Sequence, residues 1–442
     1  MTRLFGTDGV RGVANHDLTP DLALAIGRAA GLILAPRGGE VVVGRDTRLS
    51  GPMLEAALVA GLCSAGVHAQ LAGVLPTPAI AFLTIDRGAQ AGAMISASHN
   101  PVGDNGIKFF SDEGIKTSAE QEEAIESSME DETPQLPTGT DVGRADILEG
   151  AADAYVDHLL GAIDSPLRGL KVVLDCAYGA AWYAGPRAFR EAGAEVIAMH
   201  AEPDGTRINV ECGSTAPGQL AKRVVAEGAD FGLAFDGDAD RVLAVDERGS
   251  LVDGDRIIAM AALAMHETGE LKNDVVVSTV MANLGFIEAL KERSIEVLAA
   301  PVGDKYVAEA MAEHGATLGG EQSGHIIFAA HSTTGDGVLT GLKLAEIVLA
   351  SDQPLSLSSD IFESYPQVLI NVAVASKERL EAAEGLWEKV RLAQESLGDR
   401  GRILLRASGT EPLIRVMVEA ADERTAQGTA ARLAEEVERE LG

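Results

Sequence analysis

The sequence predicts an α/β protein: three similar α/β units with mixed sheets, followed by a smaller C-terminal α+β unit. Length is the first reason, because 442 residues exceed the roughly 250 to 300 at which a single hydrophobic core stops growing. Composition is the second. With 46% hydrophobic, 23% charged and 4% aromatic residues and 49 glycines, the chain suits a globular fold with many tight strand-to-helix turns. The third is one order of segments, strand, helix, strand, helix, strand, loop, strand, met three times along the chain.

Thr19-Pro20 before DLALAIGRAAGLILA reads as a helix N-cap with proline at the first helical position, and this helix leads into the apolar strand VVVGRD from Val41. The first unit then runs through a helix near PMLEAALVAGLCSAG, a strand near HAQLAGV, another helix, the strand AGAMIS, the loop SASHNP and the strand IKFFSD. From Lys171 the order recurs as KVVLDCAYG, a helix near GPRAFREAG, AEVIAMH, a helix near GQLAKRVVAEG, DFGLAF, the loop DGDAD and RVLAVDERG. From Asp274 it recurs as DVVVSTVMA, GFIEALKER, IEVLAA, a helix near YVAEAMAEHG, ATLGG, the loop EQSGH and IIFAAHS. Three unusual loops therefore share one position in their units. Ligands in α/β folds bind beyond the carboxyl ends of strands, so equivalent loops can converge on one cleft.

The remainder reads as strand QVLINVAVA, helix ERLEAAEGLWEKVRLAQESL, strands GRILLRAS and LIRVMVEA, and a final amphipathic helix. Acidic or proline-bearing stretches, MEDETPQLPTGTDVG, VDERGSLVDGD and SDQPLSLSSD, mark the junctions and give domains 1–150, 151–253, 254–364 and 365–442.

Sixty-seven Asp and Glu against 36 Lys and Arg leave a formal charge of -31, a field that repels nucleic acid and anionic membranes. A phosphate site must then be built locally from arginines, lysines and backbone N–H groups. Cys63, Cys176 and Cys212 lack metal-type spacing and read as reduced core thiols. MTRLFGTDGVRG has no apolar signal core, and IIAMAALAM from Ile257 falls far short of the roughly 20 residues that span a bilayer, so a cytoplasmic protein is expected.

Asp236, Asp238 and Asp240 alternate on a glycine-bearing loop directly after an apolar strand, a pattern that lets three carboxylates meet one hard cation such as Mg2+. An EF-hand is excluded because Arg241 occupies the position where that loop requires glycine, and RVLAV alternates as a strand. Ser98 and His99 are neighbours, but adjacent side chains on extended backbone point apart and no G-x-S-x-G elbow surrounds them, so a hydrolase triad is unsupported. Lys108 supplies a nearby cation or proton-transfer group. Arg406-Ala407-Ser408-Gly409-Thr410-Glu411-Pro412 with Arg415 combines guanidinium groups, hydroxyls and a turn, the parts of a phosphate clamp. Glu321, Ser323 and His325 on one glycine-flanked loop suit a sugar hydroxyl or amine. Arg11 in FGTDGVRG pairs a cation with a flexible glycine loop.

SASHNP, DGDADR, GEQSGH and RASGTEP, in this order over essentially the whole chain, resemble the loops of the α-D-phosphohexomutase superfamily. FGTDGVRG, NPVGDNGIKFF and GGEQSGHII are most similar to its bacterial phosphoglucosamine mutase branch. The resemblance implies four domains around a central cleft, with Ser98 as a phosphoserine and Mg2+ held by Asp236, Asp238, Asp240 and a phosphoryl oxygen on Ser98. It implies that Glu321 and Ser323 bind sugar hydroxyls near His325 and Lys305, and that Arg406, Ser408, Gly409, Thr410 and Arg415 hold the non-reacting phosphate. Thr7, Arg11, His99, Lys108 and Arg241 would surround the reacting one, with Ser98, Lys108, His99 and Arg11 as the catalytic set.

The implied reaction interconverts glucosamine 6-phosphate and glucosamine 1-phosphate through a 1,6-bisphosphate, with glucosamine or glucose 1,6-bisphosphate as intermediate and activator, and feeds amino-sugar nucleotide and cell-wall precursor synthesis. A homodimer is a further family expectation. Two positions depart from the branch: Lys305 stands where arginine is usual, losing the bidentate fork, and Ala216 where histidine is common. The competing readings are a phosphomannomutase or phosphoglucomutase of the same superfamily, a metal-dependent phosphatase, and a non-catalytic sugar-phosphate binder. The last has no use for a serine and three aspartates.

Overall fold

The computed structural model describes residues 4–6, 8–36, 38–131, 135–408 and 412–442. The chain divides into two bodies, Met1–Met281 with Val297–Asp360, and Ala282–Glu296 with Ile361–Gly442.

The larger body holds the three α/β units. The first is a six-stranded sheet of β1 (Val10–Val13), β2 (Glu40–Arg45), β3 (His68–Val74), β4 (Ala91–Ile95), β5 (Asp104–Ser111) and β6 (Ala145–Ile147), in the order β1-β5-β4-β2-β3-β6. Its central strands are parallel and β5 runs antiparallel to β4. Val41, Val42 and Val43 are buried on both faces, as a continuous apolar run in a covered parallel sheet should be. The predicted first helix forms over Pro20–Leu34, with the Thr19 hydroxyl accepting from the Leu22 N–H. It packs on helix Gly51–Ser64 so closely that a Cβ at Gly27 would lie 2.2 Å from the Leu58 carbonyl, which only glycine permits.

The second unit comprises β7 (Lys171–Asp175), β8 (Glu195–Met199), β9 (Phe231–Phe235), β10 (Val242–Asp246) and β11 (Leu251–Val252), ordered β11-β10-β9-β7-β8. The third comprises β12 (Val275–Thr279), β13 (Glu296–Ala300), β14 (Leu318–Gly320) and β15 (Ile326–Phe328), ordered β13-β12-β14-β15. In all three, the last parallel strand is followed by a loop and an antiparallel partner: β4 to β5, β9 to β10, β14 to β15. These are the loops of Ser98, of Asp236 to Asp240, and of Glu321 to His325.

Several elements escaped the sequence pattern. FGTDGVRG, read as a glycine loop, includes edge strand β1, paired antiparallel to β5. Helix Ala119–Met129 carries a capping box from Ser118 and Gln121 that was available as a signal. Helix Gly337–Ser351 is buried on most sides and so lacks a clear apolar stripe.

The smaller body is the α+β unit: β16 (Gln367–Ala373), β17 (Gly401–Ala407) and β18 (Leu413–Ala420) in the antiparallel order β16-β18-β17. Helices Glu384–Leu397 and Glu423–Leu441 cover it over a core that includes Leu386, Ile414, Val416, Leu433 and Val437. The first of these helices was expected from Glu378. It begins at Glu384 because residues 377–379 make a single 3-10 turn whose end is pinned by the Trp387 indole N–H on the Leu380 carbonyl, at 2.9 Å. Helix Leu284–Glu292 lies in the third unit by sequence but joins this body by contact. Asn283 Nδ2 donates to the Tyr365 carbonyl at 2.9 Å, and Phe286 meets Phe362 edge to face.

Candidate active site

The loop between β4 and β5 holds Ser98 in the left-handed region, φ 52°, a conformation costly for a residue with a Cβ. It is held there from behind. The Arg48 guanidinium, wholly buried, donates to the carbonyls of Ser98 (3.0 Å), Asn100 (2.8 Å), Asp104 (2.9 Å) and Pro101, and pairs with Asp46 at 2.9 Å. Asp46 in turn accepts from the Ser96 hydroxyl at 2.7 Å, and Ser96 Oγ accepts from the Ser98 N–H at 2.9 Å. Asp46 and Arg48 were not singled out from the sequence. GRDTR resembles an ordinary strand end, and only the packed loop gives Arg48 five acceptors.

Ser98 Oγ lies 2.6 Å from Asp236 Oδ2, donating to it, and 3.3 Å from His99 Nδ1. The two loops touch through backbone as well: a Cβ at Gly237 would lie 2.6 Å from the Ser98 carbonyl. Ligand atoms of Asp236, Asp238 and Asp240 all fall within 4.8 Å of one another, and all three side chains are buried. Burial, then Asp240 and Asp238, push the Asp236 carboxyl well above the usual range, and burial with Asp238 raises that of Asp240. For Asp238, burial is outweighed by Lys108 and the Thr77 hydroxyl, which hold its pKa down. Lys108 Nζ is 2.8 Å from Asp238 and 3.5 Å from Asp240, and Thr77 Oγ1 is 2.6 Å from Asp238. Yet Asp238 Oδ1 and Asp240 Oδ1 are buried without a hydrogen-bond partner among the described residues. Mutually repelling carboxylates with unpartnered oxygens fit a divalent cation bound through oxygen.

Positive charge surrounds the serine. Arg11, on β1, donates to Asn100 Oδ1 at 3.3 Å and pairs with Asp8, and the Nε atoms of Arg11 and Arg241 are buried without hydrogen-bond partners among the described residues. Burial, Arg241 and Arg11 bring the His99 pKa down to about 4, so its imidazole is neutral at neutral pH. Lys108 is buried, which opposes its charge, but Asp238, Asp8 and Asp240 prevail and it holds its proton more tightly than an ordinary lysine.

The third loop is zipped to the second. The Val242 N–H donates to the Gly324 carbonyl at 3.0 Å, and Arg241 and His325 form an antiparallel bridge. Glu321 Oε1 accepts from the Gly303 N–H at 3.1 Å, Ser323 is exposed, and His325 is buried with Nε2 accepting from the Gly335 N–H at 3.2 Å. Asp304 and His325 reach Asp240 closely enough to make a second potential ligand group. Lys305, expected at the sugar, donates to the Thr117 carbonyl at 3.0 Å and lies 3.8 Å from Glu122. Lys116 was not singled out from the sequence, and Asp304, which pairs with it, stood out there only as the neighbour of Lys305 in VGDKY.

In the smaller body Arg406 and Arg415 sit directly opposite each other on β17 and β18, and the Ser408 N–H donates to the Leu413 carbonyl at 2.9 Å. Thr7, Gly409 and Thr410 lie outside the described residues. Cys176 and Cys212 are buried free thiols and Cys63 is partly buried. Asp175, His200 and Cys212 also gather within 4.8 Å. There both Asp175 oxygens are satisfied, by His200 Nδ1 (2.9 Å), the Ala177 N–H (3.0 Å) and the Gly213 N–H (3.0 Å), so the group reads as loop support. No described helix is long and apolar enough to cross a membrane.

Four segments of the chain match the phosphoglucomutase/phosphomannomutase family: residues 2–136 match its α/β/α domain I, 153–249 domain II, 253–365 domain III and 369–436 its C-terminal domain. Among relatives, a phosphoglucosamine mutase of Carboxydothermus hydrogenoformans is 52% identical, covering 100% of this chain and 98% of that one. Another, of Rhodococcus opacus, is 53% identical over 98% and 99%. A crystal structure of a phosphoglucomutase/phosphomannomutase family protein from Burkholderia thailandensis superposes with a TM-score of 0.84 at 27% identity, covering 100% of this chain and 99% of that one. Aspergillus fumigatus N-acetylphosphoglucosamine mutase, solved with GlcNAc-6P and magnesium, shares the fold with a TM-score of 0.71 at 19% identity over 99% and 96%.

Proposed function

The chain belongs to the phosphoglucosamine mutase family, and we propose that Ser98 is the phosphoryl carrier of the reaction this membership entails. That reaction interconverts glucosamine 6-phosphate and glucosamine 1-phosphate through a phosphoserine enzyme and a 1,6-bisphosphate. The observation that carries the assignment is Ser98 Oγ at 2.6 Å from Asp236, in a cluster where Asp238 and Asp240 keep unpartnered oxygens.

In the first half-reaction the bond between phosphorus and Ser98 Oγ breaks as a bond from the sugar O1 to phosphorus forms, and the O1 proton ends on Ser98 Oγ. The bisphosphate turns round, the bond from O6 to phosphorus breaks as Ser98 Oγ takes the phosphoryl group, and the serine proton ends on O6, leaving glucosamine 1-phosphate. Such transfers depend on positioning and charge neutralisation more than on activating the nucleophile. Asp236, Asp238, Asp240 and a phosphoryl oxygen on Ser98 would hold Mg2+, which when bound neutralises charge on the transferring group. Arg11, Arg241 and Lys108 contribute fixed positive charge around the serine, and neutral His99 orients the phosphate by hydrogen bonding. Glu321, Ser323 and His325 read the sugar hydroxyls or amine. Arg406, Ser408, Gly409, Thr410 and Arg415 take the non-reacting phosphate. Lys305 ties the third unit to the first through Thr117 and Glu122.

The test supplies purified protein with Mg2+, a trace of hexose 1,6-bisphosphate and, separately, glucosamine, glucose and mannose 6-phosphates, following 1-phosphate and free phosphate. Glucosamine 1-phosphate without free phosphate is expected. Preferred turnover of glucose or mannose 6-phosphate would move the chain to the related mutases, and release of free phosphate would make it a phosphatase.

A further inference from the structure

Lys116 is a cation to which none of these roles falls. Its ammonium bonds both Asp8 Oδ1 and Asp304 Oδ2, two carboxylates that belong to different units. Asp8 lies just before β1, separated from it by Gly9, and also pairs with Arg11 beside the serine loop. Asp304 opens helix Asp304–His314 of the third unit, with Oδ2 3.5 Å from His325 Nε2. A continuous run of ion pairs, Arg11, Asp8, Lys116, Asp304, thus joins the reacting-phosphate side to the third unit, where it ends beside His325.

Simple packing does not call for such a run. Removing three charges from water is expensive, and apolar side chains would fill the same joint at no such cost. The Lys116, Asp304 and Asp8 side chains are only 11%, 14% and 24% exposed. Burial opposes the charge on each, yet their mutual attraction raises the lysine pKa and lowers both carboxyl values, so the chain of contacts is ionic. The reaction gives such a joint a purpose. Between its two halves the bisphosphate must let go of its contacts and rebind in the opposite sense without leaving, and this requires that the walls of the site stay in register.

We propose that Lys116 is a positioning residue that ties Asp8 and Arg11 of the first unit to Asp304 of the third, and thereby retains the bisphosphate during its turn. The proposal rests on the mutase reading. A retaining joint and a merely structural one differ in a measurable way: loss of retention makes the enzyme depend on added bisphosphate, whereas loss of stability alone does not.

The experiment measures mutase turnover against added glucose 1,6-bisphosphate for wild type, K116M and K116R, with intact mass to follow phospho-Ser98. For K116M the bisphosphate concentration giving half-maximal rate should rise on the order of tenfold, with phospho-Ser98 falling during turnover at limiting bisphosphate, returning when bisphosphate is added, and K116R recovering most of the loss. A folded K116M with an unaltered bisphosphate requirement overturns the proposal, as does a K116R no better than K116M. Should K116M not fold, D304N decides, because it leaves Lys116 paired with Asp8. The same rise supports the proposal and an unchanged requirement overturns it. A wild-type chain that fails to interconvert the glucosamine phosphates overturns the mutase reading and the proposal with it. An active wild type with unchanged variants overturns the proposal alone.

Discussion

The loops after β4 and β9 occupy the same place in two copies of one topology, and each contains a non-glycine residue in the left-handed region, Ser98 at φ 52° and Ala239 at φ 55°. Behind the first, Arg48 saturates four loop carbonyls and the Asp46 carboxylate. Within the second, Asp238 and Asp240 each keep a buried oxygen without a partner among the described residues. One loop is satisfied and presents a hydroxyl; the other is left electrostatically incomplete and calls for a cation. The same scaffold position thus yields a carrier or a metal ligand set, depending on whether the protein supplies the counter-charge.

The comparison can be broken at its strongest point by S98A. Turnover should fall by about 10^4-fold or more, as for loss of other covalent carriers, and intact mass should show one removable phosphate on wild type and none on the variant. A variant that retained activity would leave the serine loop without its role. Next in size is the support behind that loop. R48M breaks a wholly buried ion pair and should cost about 3–5 kcal/mol in urea unfolding. D46N/R48M, which removes both charges, should cost less than R48M. Equal losses would mean that the pair acts by packing rather than by charge.

In the carboxylate loop, D240N should lower kcat by about 10^2–10^3-fold, and chelation of wild type should abolish turnover until Mg2+ is restored. Mg2+ at 100 times its Kd should stabilise wild type by about 2.7 kcal/mol, with a smaller thermal shift in D240N. An equal shift in both would place the cation elsewhere.

The smallest effect concerns the residue that caps the helix packed against this loop. Asp336 accepts from Tyr155 and caps Gly337–Ser351, and the Gly337 N–H donates to the Ala239 carbonyl. Burial raises the Asp336 pKa to about 6. Because the folded state then holds a proton that the unfolded state has released, stability falls as pH rises from about 4 to about 6, by about 3 kcal/mol for this group. D336N keeps an N-cap and an acceptor for Tyr155, so its stability should decline less across that window. Asp236, Asp240, Asp46 and Asp253, whose carboxyls burial also raises, contribute to the remaining slope, and Mg2+ should reduce the part that Asp236 and Asp240 supply. An unchanged slope in D336N would show that Asp336 is ionised throughout.

The sequence by itself determined the threefold order of strands and helices and the chemistry of the loops. Both are local: apolar periodicity within a dozen residues sets each element, and alternate carboxylates or a serine in an Asn/Pro turn announce themselves at short range. Tertiary structure alone decided which charges face one another. Arg48 in GRDTR and Lys116 at the end of IKFFSDEGIK look like ordinary surface residues until packing brings Arg48 onto the serine loop and sets Lys116 between Asp8 and Asp304, 108 and 188 positions away in the chain. Packing likewise drew Lys305 to Thr117 and Glu122, and helix Leu284–Glu292 to the smaller body. The physical reason is that hydrophobic pattern is a property of neighbours in sequence, whereas the pairing of a buried charge depends on every group that desolvation brings within reach of it.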